Sequence, residues 1–185
     1  SMNPAGAFID FYQDGTAILL VGCADIGQGS DTVMAQIAAE ELGVRAEDIK
    51  TISADTGRTP DGGATSASRQ TFITGNAVLL AAQEASKDIR RIAAEKFGVD
   101  PSEIILANRK VYAAGKEDQA EPIEAIIGVC RGKGILTQGS GWFTPVTTSL
   151  DPVTGSGIPY QQYAFATQIA DVIVDVETGE LRVLN

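Results

Sequence analysis

The chain has 185 residues, 44% hydrophobic and 21% charged, which is enough for one domain with a real core. Its formal net charge of −10 argues against a nucleic-acid partner and against an anionic membrane surface, because both demand a basic face. Histidine is absent, and the two cysteines, Cys23 and Cys130, form no C-x-x-C pair. Ser-His-Asp and Cys-His catalysis, His-ligated metals, and zinc or iron–sulfur sites held within the chain therefore drop out. No apolar run approaches the roughly 20 residues that span a bilayer, and no signal peptide is visible. A reducing cytoplasm fits.

In chain order, Gly6 to Tyr12 reads as a strand, Asp14-Gly15 as a two-residue hairpin turn, and Thr16 to Val21 as a return strand buried on both faces. Gly22 to Thr32 is a glycine-rich turn. It leads into a helix over Val33 to Leu42, with Ser30 as N-cap and Gly43 as the terminating residue. Ile49 to Ala54 alternates as a half-buried strand, and the loop from Asp55 to Thr65 follows. A long helix is expected from Thr65 or Ser66 to Phe97, with Gly75 inside it marking close packing, ligand approach or a break. Glu103 to Ala107 and Lys110 to Ala113 read as an antiparallel pair around Asn108-Arg109. Pro122 opens a third helix from Ile123 to Cys130. Ile135 to Phe143 reads as a strand broken by Gly139-Ser140-Gly141, and Thr144 to Pro159 as a long loop. A long strand over Tyr160 to Val176, a turn at Glu177 to Glu180 and a last strand from Leu181 to Leu184 complete the chain. Hairpins mixed with long helices predict an α+β fold: a mixed sheet packed against one long and two shorter helices.

Two stretches stand out chemically, and both are glycine loops that open a helix. In the first, Gly27-Gln28-Gly29 gives backbone access to a ligand, and the first helix amides lack internal partners. The third glycine of a dinucleotide fingerprint is replaced by Thr32, and a P-loop lysine is missing. A less familiar phosphate or pterin cradle remains, beside the plainer reading of a tight turn. The second stretch, Gly62-Gly63 through Thr65, Ser66, Ala67, Ser68, Arg69 and Gln70, repeats the logic with hydroxyls and a cation that suits a phosphate. Its plainer reading is an N-capping cluster. Neither stretch carries an acid–base pair, which points to a cofactor cradle rather than a catalytic centre.

The order and spacing of these motifs resemble the molybdenum hydroxylases, the xanthine dehydrogenase and aldehyde oxidase family. The resemblance rests on Asp25-Ile26-Gly27-Gln28-Gly29 with Thr32 and Gln36, and on Gly62-Gly63 through Gln70 to Thr74-Gly75-Asn76-Ala77. It extends to Tyr163-Ala164-Phe165 and from Ala170-Asp171-Val172 to Thr178-Gly179. It implies a single partial molybdopterin-binding domain, residues 1–185, belonging to a larger oligomeric subunit. Ile26, Gly27 and Gly29 would line the cofactor, and Gln28 would bond near the molybdenum oxo group or the pterin. Ser66, Ala67, Ser68, Arg69 and Gln70 would meet its dithiolene, pterin and phosphate end. The implied reaction hydroxylates an aldehyde or N-heterocycle with oxygen from water. Electrons leave through iron–sulfur clusters and FAD on other domains or subunits. No segment matches the family's catalytic glutamate, so the 185 residues alone are expected to be inactive, with no catalytic or metal-ligating residue of their own. An autonomous acidic module that binds an anion or a protein is the alternative.

Overall fold

The computed structural model describes residues 4–161 and 167–184. Strand β1 (Ala5–Phe11) turns back into β2 (Ala17–Val21), helix α1 (Ser30–Leu42) follows, and β3 (Ile49–Ser53) returns parallel to β2. Helix α2 (Arg69–Phe97) crosses the sheet, and β7 (Gln138–Phe143) then pairs antiparallel with β1. The sheet order is β3-β2-β1-β7. A second sheet of β4 (Ile104–Ala107), β5 (Lys110–Ala113) and β6 (Glu121–Pro122) lies beside α3 (Ile123–Gly132). The mixed sheet with one long and two shorter helices is the α+β arrangement that the pattern of hairpins and helices implies.

The core lies between the first sheet and the two helices on its inner face. Ala7, Ile9 and Phe11 of β1 and Ala17, Leu19 and Val21 of β2 point inward at period two, as strand geometry requires. They meet Met34, Ala38 and Leu42 of α1 and Ala77, Val78, Ala81, Ala85 and Ile89 of α2. Each fully buried Leu, Ile or Phe contributes roughly 2–3 kcal/mol of transfer free energy. The expected burial of β2 on both faces is corrected: Ile18 and Leu20 are only half-buried, and Phe8 on the same outer face is 44% exposed. The two helices cover one side of the sheet.

Local signals decided several boundaries. Asn108 and Arg109 both adopt positive φ (52° and 61°), the pairing that a tight hairpin twisted with its strands requires. The β1–β2 turn is one residue longer than the Asp14-Gly15 signal implies. Tyr12 N–H still bonds Thr16 C=O at 2.8 Å, which leaves Gln13 to Gly15 as a three-residue loop. β7 runs straight through Gly139-Ser140-Gly141, so the expected break is absent. Helix α2 begins three to four residues later than expected, because Ala67 sits at φ 47° and cannot start it. Of the expected long strand over Tyr160 to Val176, residues 162–166 lie outside the described residues. The part beyond them forms only β8 (Val172–Val174), paired with β9 (Leu181–Val183).

Arg109 ties the second sheet to the first. Its guanidinium bonds Asp48 at 2.8 Å, Glu124 at 2.6 Å and the Asp14 carbonyl. Asp48 is buried, and the Arg45 side chain and amide, with the Arg109 charge, hold its carboxyl at about 2. The native value is depressed. The stabilisation is therefore complete above the unfolded value of about 4 and disappears as pH falls from about 4 to about 2. It amounts to about 2 kcal/mol. Asp48→Asn is expected to lower stability by about that much at neutral pH and to flatten the acid limb of urea-unfolding free energy in the same window. An acid limb that stays as steep in the variant would contradict this assignment.

Candidate functional site

The first glycine loop is built around one carboxylate. Asp25 Oδ1 accepts the amides of Gly27 at 2.8 Å and Gly29 at 3.4 Å, and Oδ2 accepts the amide of Asp31 at 3.1 Å. Gly27 and Gly29 take φ of 100° and 78°, conformations that disfavour any residue with a Cβ. Gly29, not Ser30, is the N-cap, and no side chain at the cap position bonds the helix. Asp25 therefore occupies the Asp31 amide at the α1 start and two loop amides before it, which corrects the reading of that start as an open anion cradle. These amides hold the Asp25 carboxyl below its usual range, Gly27 most and Asp31 next. The signal was an Asp two residues before a glycine, a side chain that bonds the backbone just ahead of it.

The second loop meets the first by two contacts. Gly22 and Gly62 cross backbone to backbone: a Cβ on Gly22 would stand 2.2 Å from the Pro60 carbonyl oxygen and 2.3 Å from the Gly62 nitrogen. Beside them, Ala24 N–H donates to Thr65 Oγ1 at 2.9 Å. The Gln70 carboxamide donates to that same hydroxyl and to the Ala64 carbonyl, both at 3.1 Å, and accepts from Thr74 Oγ1. The two segments, some forty residues apart in sequence, thus form one end of the molecule.

Between them lies a cleft of about 190 Å³. The first segment contributes Ile26, Gln28, Ser30 and Val33, and the second Thr65, Ser66, Ala67, Ser68, Gln70 and Thr71. Six of the nine residues singled out in the sequence line it. Gly27, Gly29 and Arg69 do not. The Arg69 guanidinium turns into the fold, where it bonds the carbonyls of Gly62, Ala64 and Pro4 and braces the loop instead of facing a ligand. Burial lowers its pKa. Ser30 and Thr71 were not singled out as ligand-facing. Nothing local distinguishes Thr71 from any polar residue in a helical first turn.

The α2 start is the anion-compatible end of this cleft. Its first turn holds no acidic residue, no side chain caps it, and Ser66 and Ser68 bring exposed hydroxyls. Cys23, near the start of the first loop, is fully buried. Burial, then the nearby Asp31 charge, push its thiol up to about 11, so it stays protonated. Cys130 is also buried and free. Among the described residues no cluster of acidic and sulfur groups could hold a metal, and no helix is long and apolar enough to cross a membrane.

These features define an α+β domain that presents two interlocked small-residue loops at one end of a mixed sheet. The chain belongs to the molybdopterin cofactor-binding domain family, whose model matches residues 1–185. It is 33% identical over 182 residues to a probable hypoxanthine oxidase, XdhD, of Escherichia coli K12, covering 98% of this chain and 18% of that protein. The aldehyde oxidoreductase of Desulfovibrio gigas superposes with a TM-score of 0.61 at 26% identity, over 98% of this chain and 17% of that one. Quinoline 2-oxidoreductase of Pseudomonas putida 86 shares the fold, with a TM-score of 0.74 at 20% identity, over 99% of this chain and 22% of that one. In each case the chain spans less than a quarter of the length of the protein it matches.

The residues of the cleft suit one end of such a group. Hydroxyls and uncapped amides fit a phosphate, and planar carboxamides fit a ring edge. The cleft is smaller than the roughly 300–1,000 Å³ of a complete small-molecule site, so its size suits part of a cofactor and not the whole of one.

Proposed function

We propose that this domain cradles molybdopterin within an enzyme of the xanthine dehydrogenase or aldehyde oxidase type, acting on an aldehyde or an N-heterocycle. The bound molybdenum group supplies hydroxylation chemistry, with oxygen drawn from water. The residues of this chain bind and orient it. Ser66, Ser68 and the first amides of α2 receive an anionic end, Gln28 and Gln70 meet the pterin, and Ile26 closes the rim. Iron–sulfur and FAD domains or subunits, and the rest of the molybdopterin subunit, are the partners this reading requires. We place the protein in the cytoplasm, in line with its two free, buried thiols.

The observation that carries the proposal is the meeting of the two loops in one cleft, joined by the Ala24–Thr65 hydrogen bond. Its test is Gln28→Ala in the full-length protein that contains this domain. Molybdopterin content is expected to fall several-fold, with turnover falling in proportion. Unchanged content and turnover would remove Gln28 from the cradle. The isolated 185 residues are expected to oxidise neither aldehydes nor purines.

A further inference from the structure

The Gln28 carboxamide has three partners in its own loop, and their chemistry fixes which way it faces. The Ile26 backbone nitrogen can only donate, so the atom 2.6 Å from it is Oε1. The Ala24 carbonyl can only accept, so the atom 3.0 Å from it is Nε2. The second Nε2 hydrogen goes to Ser30 Oγ at 3.0 Å, and the Ser30 hydroxyl proton goes to the Ala24 carbonyl at 3.3 Å. Both donors of Gln28 are thus engaged inward. One lone pair of Oε1 remains, and Gln28 lines the cleft. From the other side, Asp25 fastens the amides of Gly27, Gly29 and Asp31, so the backbone on both flanks of Gln28 is fixed to one carboxylate.

We infer that Asp25 and Ser30 are positioning residues that clamp the Gln28 carboxamide with its NH2 group turned inward. The side chain then offers the cleft an acceptor, and the ligand group it reads is an N–H or O–H donor, not an oxo or phosphate oxygen. This rests on the proposed cradle and divides it. The pterin ring, which carries N–H donors, belongs at Gln28. An anionic end belongs at the α2 start, where no carboxylate occupies the amides. A Gln28 that donated to an oxygen ligand would have to give up Ala24 or Ser30.

The clamp is read without any cofactor, so it stands or falls separately from molybdopterin retention. In the ¹⁵N-labelled chain, both Gln28 side-chain amide protons are expected to resonate away from random-coil positions and to exchange slowly. Ser30→Ala is expected to speed exchange of one of them by roughly fivefold or more, the factor set by one lost hydrogen bond. Asp25→Ala is expected to release both, together with the amides of Gly27, Gly29 and Asp31. Asp25→Asn keeps an acceptor for Gly27 and is expected to restore most of the protection. If Asp25→Ala unfolds the chain, the Ser30→Ala result decides. A Gln28 side chain already exchanging freely in the unmodified chain, or unmoved by Ser30→Ala, overturns the clamp. Titration with a free pterin and, separately, with molybdate tests the ligand class. The Gln28 resonances are expected to shift with pterin alone. A shift with molybdate, or with neither, overturns the assignment of Gln28 as a reader of donors.

Discussion

Replacing Gly139 with alanine is expected to destabilise the fold by about 3 kcal/mol or more, at the upper end of what overpacking costs. The Cβ would stand 2.0 Å from the Ala81 carbonyl oxygen and 2.6 Å from the Ala85 nitrogen. Two positions along β7, a Cβ on Gly141 would stand 2.0 Å from the Ala77 carbonyl oxygen. The repeats match: two strand residues advance about 6.6 Å, and four helix residues rise about 6 Å. One face of β7 therefore lies directly on the Ala77, Ala81 and Ala85 ridge of α2, backbone on backbone. Neither side can yield, because the intruded atoms belong to the helix main chain and not to a flexible side chain. For a domain of this size the loss corresponds to a fall in Tm of roughly 6–12 °C. Gly132→Ala is the control. Gly132 is helical and has nothing within 4 Å of its Cβ position, so alanine there is expected to be neutral or slightly stabilising. Equal urea-unfolding free energies for Gly139→Ala and the unmodified chain would remove this contact from the account.

β7 also shows where the sequence stops being legible. Glycines in a strand read locally as a break, and only the facing alanine ridge, some sixty residues away, turns them into a packing surface. Contacts of that separation leave no local trace. The Asn108-Arg109 hairpin was readable because the positive φ that its turn needs is a property of two adjacent residues. The α2 boundary is not legible locally for the reverse reason. Thr65 to Ser68 are acceptable early-helix residues, but the Thr65 hydroxyl is held by a tertiary bond to the first loop and Ala67 takes a positive φ. At the site, glycine spacing pointed to both loops, and the family resemblance selected them together. What it could not give was the direction of each side chain. Arg69 turns inward to backbone carbonyls, and Asp25 caps the helix that was to meet an anion. Both facts depend on which carbonyls and amides the folded backbone leaves unmatched.

The crossing of Gly22 and Gly62 governs whether the two loops form one site. Neither glycine has positive φ, so alanine meets no backbone strain at either position and its effect is purely one of space. A Cβ on Gly22 would lie 2.2 Å from the Pro60 carbonyl oxygen; one on Gly62 would lie 2.6 Å from the Gly22 carbonyl carbon. Either substitution must push the loops apart, and the Ala24–Thr65 bond beside them is lost with the movement. Gly22→Ala is expected to cost about 3 kcal/mol, the overpacking and the lost hydrogen bond together. Thr65→Val removes that hydrogen bond and the one from Gln70 without inserting volume, and about 1–2 kcal/mol is expected. The contrast separates stability from assembly of the site. In the full-length protein, Gly22→Ala is expected to lose molybdopterin several-fold more severely than a core variant of matched stability such as Ile89→Ala, because only the glycine change widens the cleft. Equal cofactor content in those two proteins would mean that the loops need not touch to hold the ligand. Unchanged stability on Gly22→Ala would mean that they do not touch at all.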